Sequence, residues 1–222
     1  MLFPNFVCVD NFLDEPDKVV DLANTFEFSN GRNFPGKRTT EVHTLDWNFF
    51  NWINLKMAAI LYANNVDDIR FQAYTYFQKI KPIKYDHWVH TDDMYKMTGI
   101  LYLNKNHTSG TSIFKAKDFK ATLVHKHPEI KYSYFENEEG KAAIKVPDHE
   151  VEKARDETNS GFERTFSVEG IYNRLILFDG STYHASNPAT SDEERLTLIT
   201  FFKDITLENQ GIRYPVPTSR AI

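Results

Sequence analysis

Residues 85–114, YDHWVHTDDMYKMTGILYLNKNHTSGTSIF, place two metal-ligand types two positions apart, His90 and Asp92. On an extended strand, residues so spaced project from one face, so an imidazole nitrogen and a carboxylate oxygen can meet one ion. The third candidate is His184, in RLILFDGSTYHASNPATSDEERLTLITFF (174–202), with Arg195 following it. Two histidines and one carboxylate form the facial triad that holds non-haem Fe(II) and leaves positions open for a bidentate cosubstrate and O₂. Each residue has a competing reading. His184 alone reads as a loop histidine capping a turn. Arg195 reads as an exposed salt bridge to Glu193 or Glu194, worth under ~1 kcal/mol. Asp93 rivals Asp92 but would face the other side of a strand. His87 reaches the same ion only if the segment is not extended, and His125-x-His127 has no third ligand in a comparable context.

Upstream, RFQAYTYFQKI (70–80) has a period of two, with Gln72, Tyr74, Tyr76 and Gln78 on one face and Phe71, Ala73, Thr75 and Phe77 on the other. A strand with polar aromatics in front suits the wall of a wet pocket, which makes Tyr74 and Tyr76 candidate substrate contacts. Downstream strands are expected at Met97–Leu103, Arg174–Asp179 and Arg195–Lys203, with a polar turn at Asn104–Gly110. At the other end, residues 3–13 read as a short strand. Asp14-Glu15-Pro16-Asp17 starts a helix with an acidic cap and an early proline, ending near Ala23 or Phe26. Residues 29–40, SNGRNFPGKRTT, read as a loop whose Arg38 is a further candidate substrate contact. Asp46 caps a second helix, and Trp47, Phe50, Ile53, Met57, Ile60 and Leu61 form its apolar stripe.

Taken in order, His90-x-Asp92, GILYLNKN (99–106), SGTSIF (109–114), NRLILFDGSTYHASNPAT (173–190) and Arg195 resemble the Fe(II)/2-oxoglutarate-dependent dioxygenases, in their prolyl-4-hydroxylase-like branch. SGTSIF departs from that family's GGETxF turn, lacking the second glycine and the glutamate. The resemblance implies a mainly β fold with N-terminal helices, built on a double-stranded β-helix, or jelly roll. It implies Fe(II) held by His90, Asp92 and His184, with 2-oxoglutarate and O₂ as cosubstrates and succinate as a product. Arg195, Thr197 and Tyr102 would hold the far carboxylate of 2-oxoglutarate. The expected activity is hydroxylation of a peptide side chain or small metabolite, with demethylation as another oxidative outcome. The alternative is a non-catalytic jelly-roll binding or structural module.

The 222 residues suit a single domain. Residues 1–66 would pack on a core at 70–203, with a tail at 204–222. Residues 115–170, with a short helix near Asp148–Glu157, read as an insert too irregular for further barrel strands, placed to act as a lid or recognition element. The formal charge of −5 has both signs interspersed, so no nucleic-acid surface is expected. No apolar run is long enough to span a bilayer. Cys8 is the sole cysteine, and the opening MLFPNFVCVDNFLDEP lacks a basic stretch followed by an apolar core. A cytoplasmic protein without signal peptide or membrane segment is therefore expected.

Overall fold

The computed structural model describes residues 6–30, 34–62, 66–82, 85–106, 109–118, 129–131 and 146–208. In chain order the elements begin with β1 (Phe6–Val9), α1 (Pro16–Asn24), β2 (Ser29–Asn30), β3 (Lys37–Arg38), α2 (Val42–Leu45) and α3 (Trp47–Ala59). Then come β4 (Ile69–Ile80), β5 (Met97–Tyr102), β6 (Thr111–Ala116), α4 (Asp148–Asn159), β7 (Phe162–Val168), β8 (Leu175–Asp179), β9 (Tyr183–Ser186) and β10 (Arg195–Leu207). A seven-stranded sheet in the order β1-β8-β5-β10-β4-β3-β2 faces a three-stranded sheet in the order β7-β6-β9. All recorded pairings are antiparallel. This is the expected jelly roll, open at its mouth.

The period-two pattern of β4 and β10 sorts their side chains between two environments. Ala73, Phe77, Leu198 and Phe202 join Phe50, Ile53 and Met57 of α3 in the larger core, on the helix-covered face. Ile100, Tyr102, Ile176, Phe178, Ile199 and Phe201 fill the opposite face, where Val168 of β7 packs on them from the small sheet. Asn54 ties the helix layer to the sheet. Its Nδ2 donates to Phe50 O at 2.8 Å and to Thr75 Oγ1 at 2.9 Å, and Thr75 Oγ1 lies 3.1 Å from Thr200 Oγ1. Replacing Asn54 with Leu leaves buried hydroxyls short of a partner, at a cost of about 1–3 kcal/mol. Urea unfolding should show that loss with metal affinity unchanged; equal loss of both would mean that this network also shapes the site.

Several expectations need correction. The stretch 29–40 is not wholly loop, because β3 pairs with Lys79 and Gln78 of β4 and β2 pairs with β3. Glu15 precedes α1 but makes no side-chain cap; its carboxylate takes Lys18 Nζ at 2.7 Å instead. Asp46 does cap α3, accepting from Phe49 N at 2.9 Å, but Trp47 of the predicted stripe is 58% exposed. The segment 115–170 contains a true sheet strand, β7, hydrogen-bonded along β6. β10 continues past Lys203 to Leu207 because Ile205 and Leu207 still reach the core. His125, His127 and the tail from 209 onward lie outside the described residues. Among the described residues no helix is long and apolar enough to cross a membrane.

Candidate metal centre

His90 and His184 are brought together by backbone pairing. His90 N–H donates to His184 O at 3.0 Å and His184 N–H to His90 O at 2.9 Å, an isolated antiparallel bridge on the free edge of β9. Residues directly opposed in such a pair project from the same face, and the two ring centroids are 4.3 Å apart. Asp92 is placed differently from the expectation: it opens a turn rather than lying in a strand, with Tyr95 N–H donating to Asp92 O at 2.8 Å. The Asp92 N–H donates to Gly180 O at 2.7 Å, locking that turn onto the β8–β9 corner. Gly180 is required there, since a Cβ would stand 2.1 Å from Tyr95 O and 2.7 Å from Asp92 O.

The donor atoms of His90, Asp92 and His184 all lie within 4.8 Å of one another. His184 Nε2 is 3.5 Å from Asp92 Oδ2, slightly wider than the roughly 3 Å between two cis ligands at about 2.1 Å from a metal. Each histidine is oriented by its other nitrogen: Nδ1 of His90 faces Trp88 O at 3.0 Å and Nδ1 of His184 faces Thr182 O at 3.0 Å. A carbonyl can only accept, so each Nδ1 carries a proton, and Nε2 is the nitrogen left for a metal. Burial, reinforced by the neighbouring His184, holds the His90 pKa well below that of an ordinary histidine, so its ring stays neutral, as ligation requires. Thr98 Oγ1 donates to Asp92 Oδ2 at 2.7 Å. Thr98→Val keeps the shape and removes that donor. It should weaken metal binding by roughly 10–100-fold, measured by competition with a chelating dye; an unchanged affinity would remove Thr98 from the site.

The register of β10 orders the cavity. Arg195, Thr197, Ile199 and Phe201 share the inner face, with Tyr102 opposite Thr197 and Thr98 opposite Phe201. Asp92 therefore stands near the Phe201 end and Arg195 at the other. Arg195 is 4% exposed, and the recorded partners of its Nη1 are all neutral: Ser186 Oγ at 3.0 Å, Gly110 O at 3.2 Å and Ser109 Oγ at 3.3 Å. Its Nε and the Thr197 hydroxyl are buried without a hydrogen-bond partner. Burial lowers the Arg195 pKa from the ordinary arginine value. The salt bridge to Glu193 or Glu194 is not formed among the recorded contacts; Glu193 Oε1 takes Asn106 and Glu194 O takes Asn104. Tyr102 OH is 2.7 Å from Thr111 Oγ1, beneath the guanidinium, whose Cζ lies 5.9 Å from the tyrosine ring.

Tyr74 and Tyr76 line the same inner face, packed on Ile199 and its neighbours. Burial, then Glu41, pushes the Tyr76 hydroxyl up to about 12. Arg38 points inward from β3, its Cζ 4.1 Å from the Phe34 ring centroid and 5.4 Å from that of Phe201.

Residues 4–202 match the family described as "Family of unknown function (DUF6445)". The chain belongs to that family. Comparison with curated protein sequences finds no match. Among solved structures, this DUF6445 chain is similar to the non-heme alpha ketoglutarate dependent epimerase SnoN from nogalamycin biosynthesis, at 13% identity and a TM-score of 0.52, over 98% of this chain and 87% of that one. A prolyl hydroxylase from Trichoplax adhaerens, in complex with a hypoxia inducible factor oxygen degradation domain peptide fragment, matches at 13% identity and TM-score 0.51, over 92% and 84%. HygX from Streptomyces hygroscopicus, with nickel, 2-oxoglutarate and hygromycin B bound, matches at 8% identity and TM-score 0.52, over 89% and 82%. At these identities the likeness carries the fold, which is the one that the sequence motifs led us to expect.

Some residues of the site left no trace in local sequence pattern. Asn159, the last residue of α4, accepts from Val89 N at 2.9 Å through Oδ1 and donates to His87 O at 2.9 Å through Nδ2, pinning the segment that presents His90. Lys131, from the insert, interacts electrostatically with Asp92, and burial draws its pKa down to about 8. His87 is buried beside them; burial first, then the charges of Arg195, Lys131 and Arg155, press its pKa down to about 3. A histidine that stays neutral next to three cations belongs to the cavity wall, and His87 is not among the three convergent donors.

Proposed function

We propose that this protein is an Fe(II)- and 2-oxoglutarate-dependent oxygenase that hydroxylates a C–H bond of a peptide side chain or small molecule. One observation supports the reading above all: a two-histidine, one-carboxylate cluster lies along the same inner face as a buried arginine that has no acidic partner among the described residues. Either feature alone has ordinary explanations. Together they match the needs of a divalent metal and a dicarboxylate, and the solved structures of this fold include proteins holding iron or nickel with 2-oxoglutarate.

His90 and His184 would each offer Nε2 to the ion, and Asp92 one carboxylate oxygen, so that a cosubstrate could also bind it. Thr98 steadies the carboxylate, and the Trp88 and Thr182 carbonyls fix the rings. Iron, 2-oxoglutarate and O₂ together supply the oxidant: the substrate gains a hydroxyl while 2-oxoglutarate becomes succinate and CO₂. Arg195 would take the far carboxylate of the cosubstrate through two parallel hydrogen bonds, using the unpaired Nε, with the Thr197 hydroxyl as a further donor. The Ser109, Gly110 and Ser186 oxygens hold Nη1 and so aim the fork. Tyr102 floors this end of the cavity, while Ile100, Ile176, Phe178 and Ile199 shield it from bulk water. Tyr74 and Tyr76 would line the substrate's approach.

Anaerobic titration of the metal-free protein with Fe(II) and then 2-oxoglutarate tests the assignment. A weak visible charge-transfer band that grows with both components, and succinate release in air, are the expected results. Well-folded protein that gives no band would favour a non-catalytic jelly-roll binding module.

A further inference from the structure

Arg38 is not among the convergent metal donors, yet its side chain lies against Tyr76 and Phe201 of the same inner face. Its backbone pairs with Gln78 at the edge of the large sheet. Its guanidinium sits between aromatic faces, with Cζ 4.1 Å from the Phe34 centroid, 5.5 Å from Tyr76 and 5.4 Å from Phe201. Phe201 is the residue whose ladder partner, Thr98, holds Asp92. Asp92 heads the charged groups that oppose the effect of burial on Arg38.

Such a cation is under-partnered. The Arg38 Nε has no exposed surface and no hydrogen-bond partner. Among the described residues, the recorded partner of Nη2 is Gln78 Oε1, at 3.5 Å, and Gln78 is turned that way by its own bond from Nε2 to Pro35 O at 2.7 Å. When Asp92 serves a divalent ion, its charge is shared with that ion, and Arg38 loses much of the largest influence that offsets its burial. A half-buried guanidinium whose Nε lacks a partner then favours an incoming anion. The cosubstrate cannot be that anion if Arg195 holds it. The Arg38 backbone is level with Thr197 through Gln78, but its guanidinium leans to the Phe201 ring, and Phe201 is six positions, about 20 Å of strand, from Arg195.

We propose that Arg38 is the substrate's anion anchor, and that the substrate carries a carboxylate close to the carbon that reacts. The planar fork of Nε and Nη2 fits a carboxylate through two parallel hydrogen bonds. A phosphate dianion would need more donors than this aromatic surround offers. Phe34, Tyr76 and Phe201 would grip the body beside the carboxylate, and the adjoining carbon would face the triad across Asp92. This inference rests on the reading of His90, Asp92 and His184 as a metal centre.

The test uses Mn(II)-loaded full-length protein with saturating 2-oxoglutarate, so that Arg195 is already occupied. Calorimetry compares phenylacetate with phenylacetamide, and the blocked tripeptide Ac-Gly-Asp-Gly-NH₂ with its asparagine counterpart. At least one acid should bind about tenfold more tightly than its amide, as expected for one charge-assisted pair; which acid does so tells a small-molecule from a peptide substrate. That preference should vanish in Arg38→Gln and persist in part in Arg38→Lys, with 2-oxoglutarate affinity and unfolding temperature unchanged in both. Equal binding of acids and amides, no binding of either, or a preference that survives Arg38→Gln would overturn the proposal. Binding of Mn(II) and 2-oxoglutarate is read first in the same cell. Its failure overturns the metal reading, whereas its success without an acid preference overturns the Arg38 assignment alone.

Discussion

His184→Ala should abolish Fe(II) binding at micromolar metal while leaving the protein folded. Loss of a ligand removes a bond to the ion itself, so the effect should exceed the roughly 10–100-fold that follows loss of a supporting partner. The histidine is 5% exposed, with its ring 4.3 Å from that of His90 and 4.7 Å from that of Phe178. Truncation therefore opens a small void, costing about 1–2 kcal/mol, or about 2–8 °C in unfolding temperature for a chain of this size. The backbone bridge to His90 needs no imidazole and should survive. His184→Gln keeps most of the packing, so metal binding lost in both variants assigns the effect to ligation. Metal titration beside calorimetric unfolding checks it. Retained binding in either folded variant would displace His184 from the centre.

Arg195→Met makes the second large prediction, and it has two parts of opposite sense. Affinity for 2-oxoglutarate should fall by roughly 30-fold or more, since truncating one partner of a buried charge pair costs about 2–5 kcal/mol. Stability of the metal-free protein should hold or rise. Without cosubstrate, Arg195 is a buried cation whose recorded partners are two serine hydroxyls and one carbonyl, and exchanging a poorly compensated buried charge for an apolar chain of similar volume is neutral or stabilising. A structural arginine would behave in the reverse way. If Arg195→Met unfolds the protein and leaves 2-oxoglutarate affinity intact, its role is architectural. Titration of the Mn(II)-loaded variant and thermal unfolding of the metal-free variant separate the two.

What could be read from sequence followed the range of the forces involved. The alternation of β4 and β10 was legible because each residue's face is set by its own strand, and the sorting of Tyr74 and Tyr76 from Thr75 and Phe77 followed directly. The Asp46 cap was legible because donor and acceptor are three residues apart. The two-residue strands β2 and β3 were not, since their regularity comes from a distant partner in β4. β7 resembled loop because only Phe162 along it is buried; neighbouring β6 makes it a strand. Asn159 and Lys131 come from an insert whose local composition says nothing of where it folds back. Arg38 stood in a turn-rich stretch that favours solvent, and only the aromatic cluster on β4 and β10 shows why it turns inward.

The bridge between His90 and His184 has a consequence for how such a chain can diverge. Two residues far apart in sequence are held as rungs of one ladder, and the ladder is closed by β6 and β9 whatever lies between them. The chain that leaves β6 and returns through β7 has both ends fastened by that pairing. Each doubling of a loop fastened at its ends costs only about 0.6 kcal/mol in closure entropy. Apart from α4, whose Asn159 holds the segment before His90, the stretch between β6 and β7 can thus lengthen, shorten or change composition with little effect on the distance between the two imidazoles. A one-residue slip of the bridge would instead turn one histidine to the opposite face. Variation among relatives should accumulate in the insert and be resisted in the rungs.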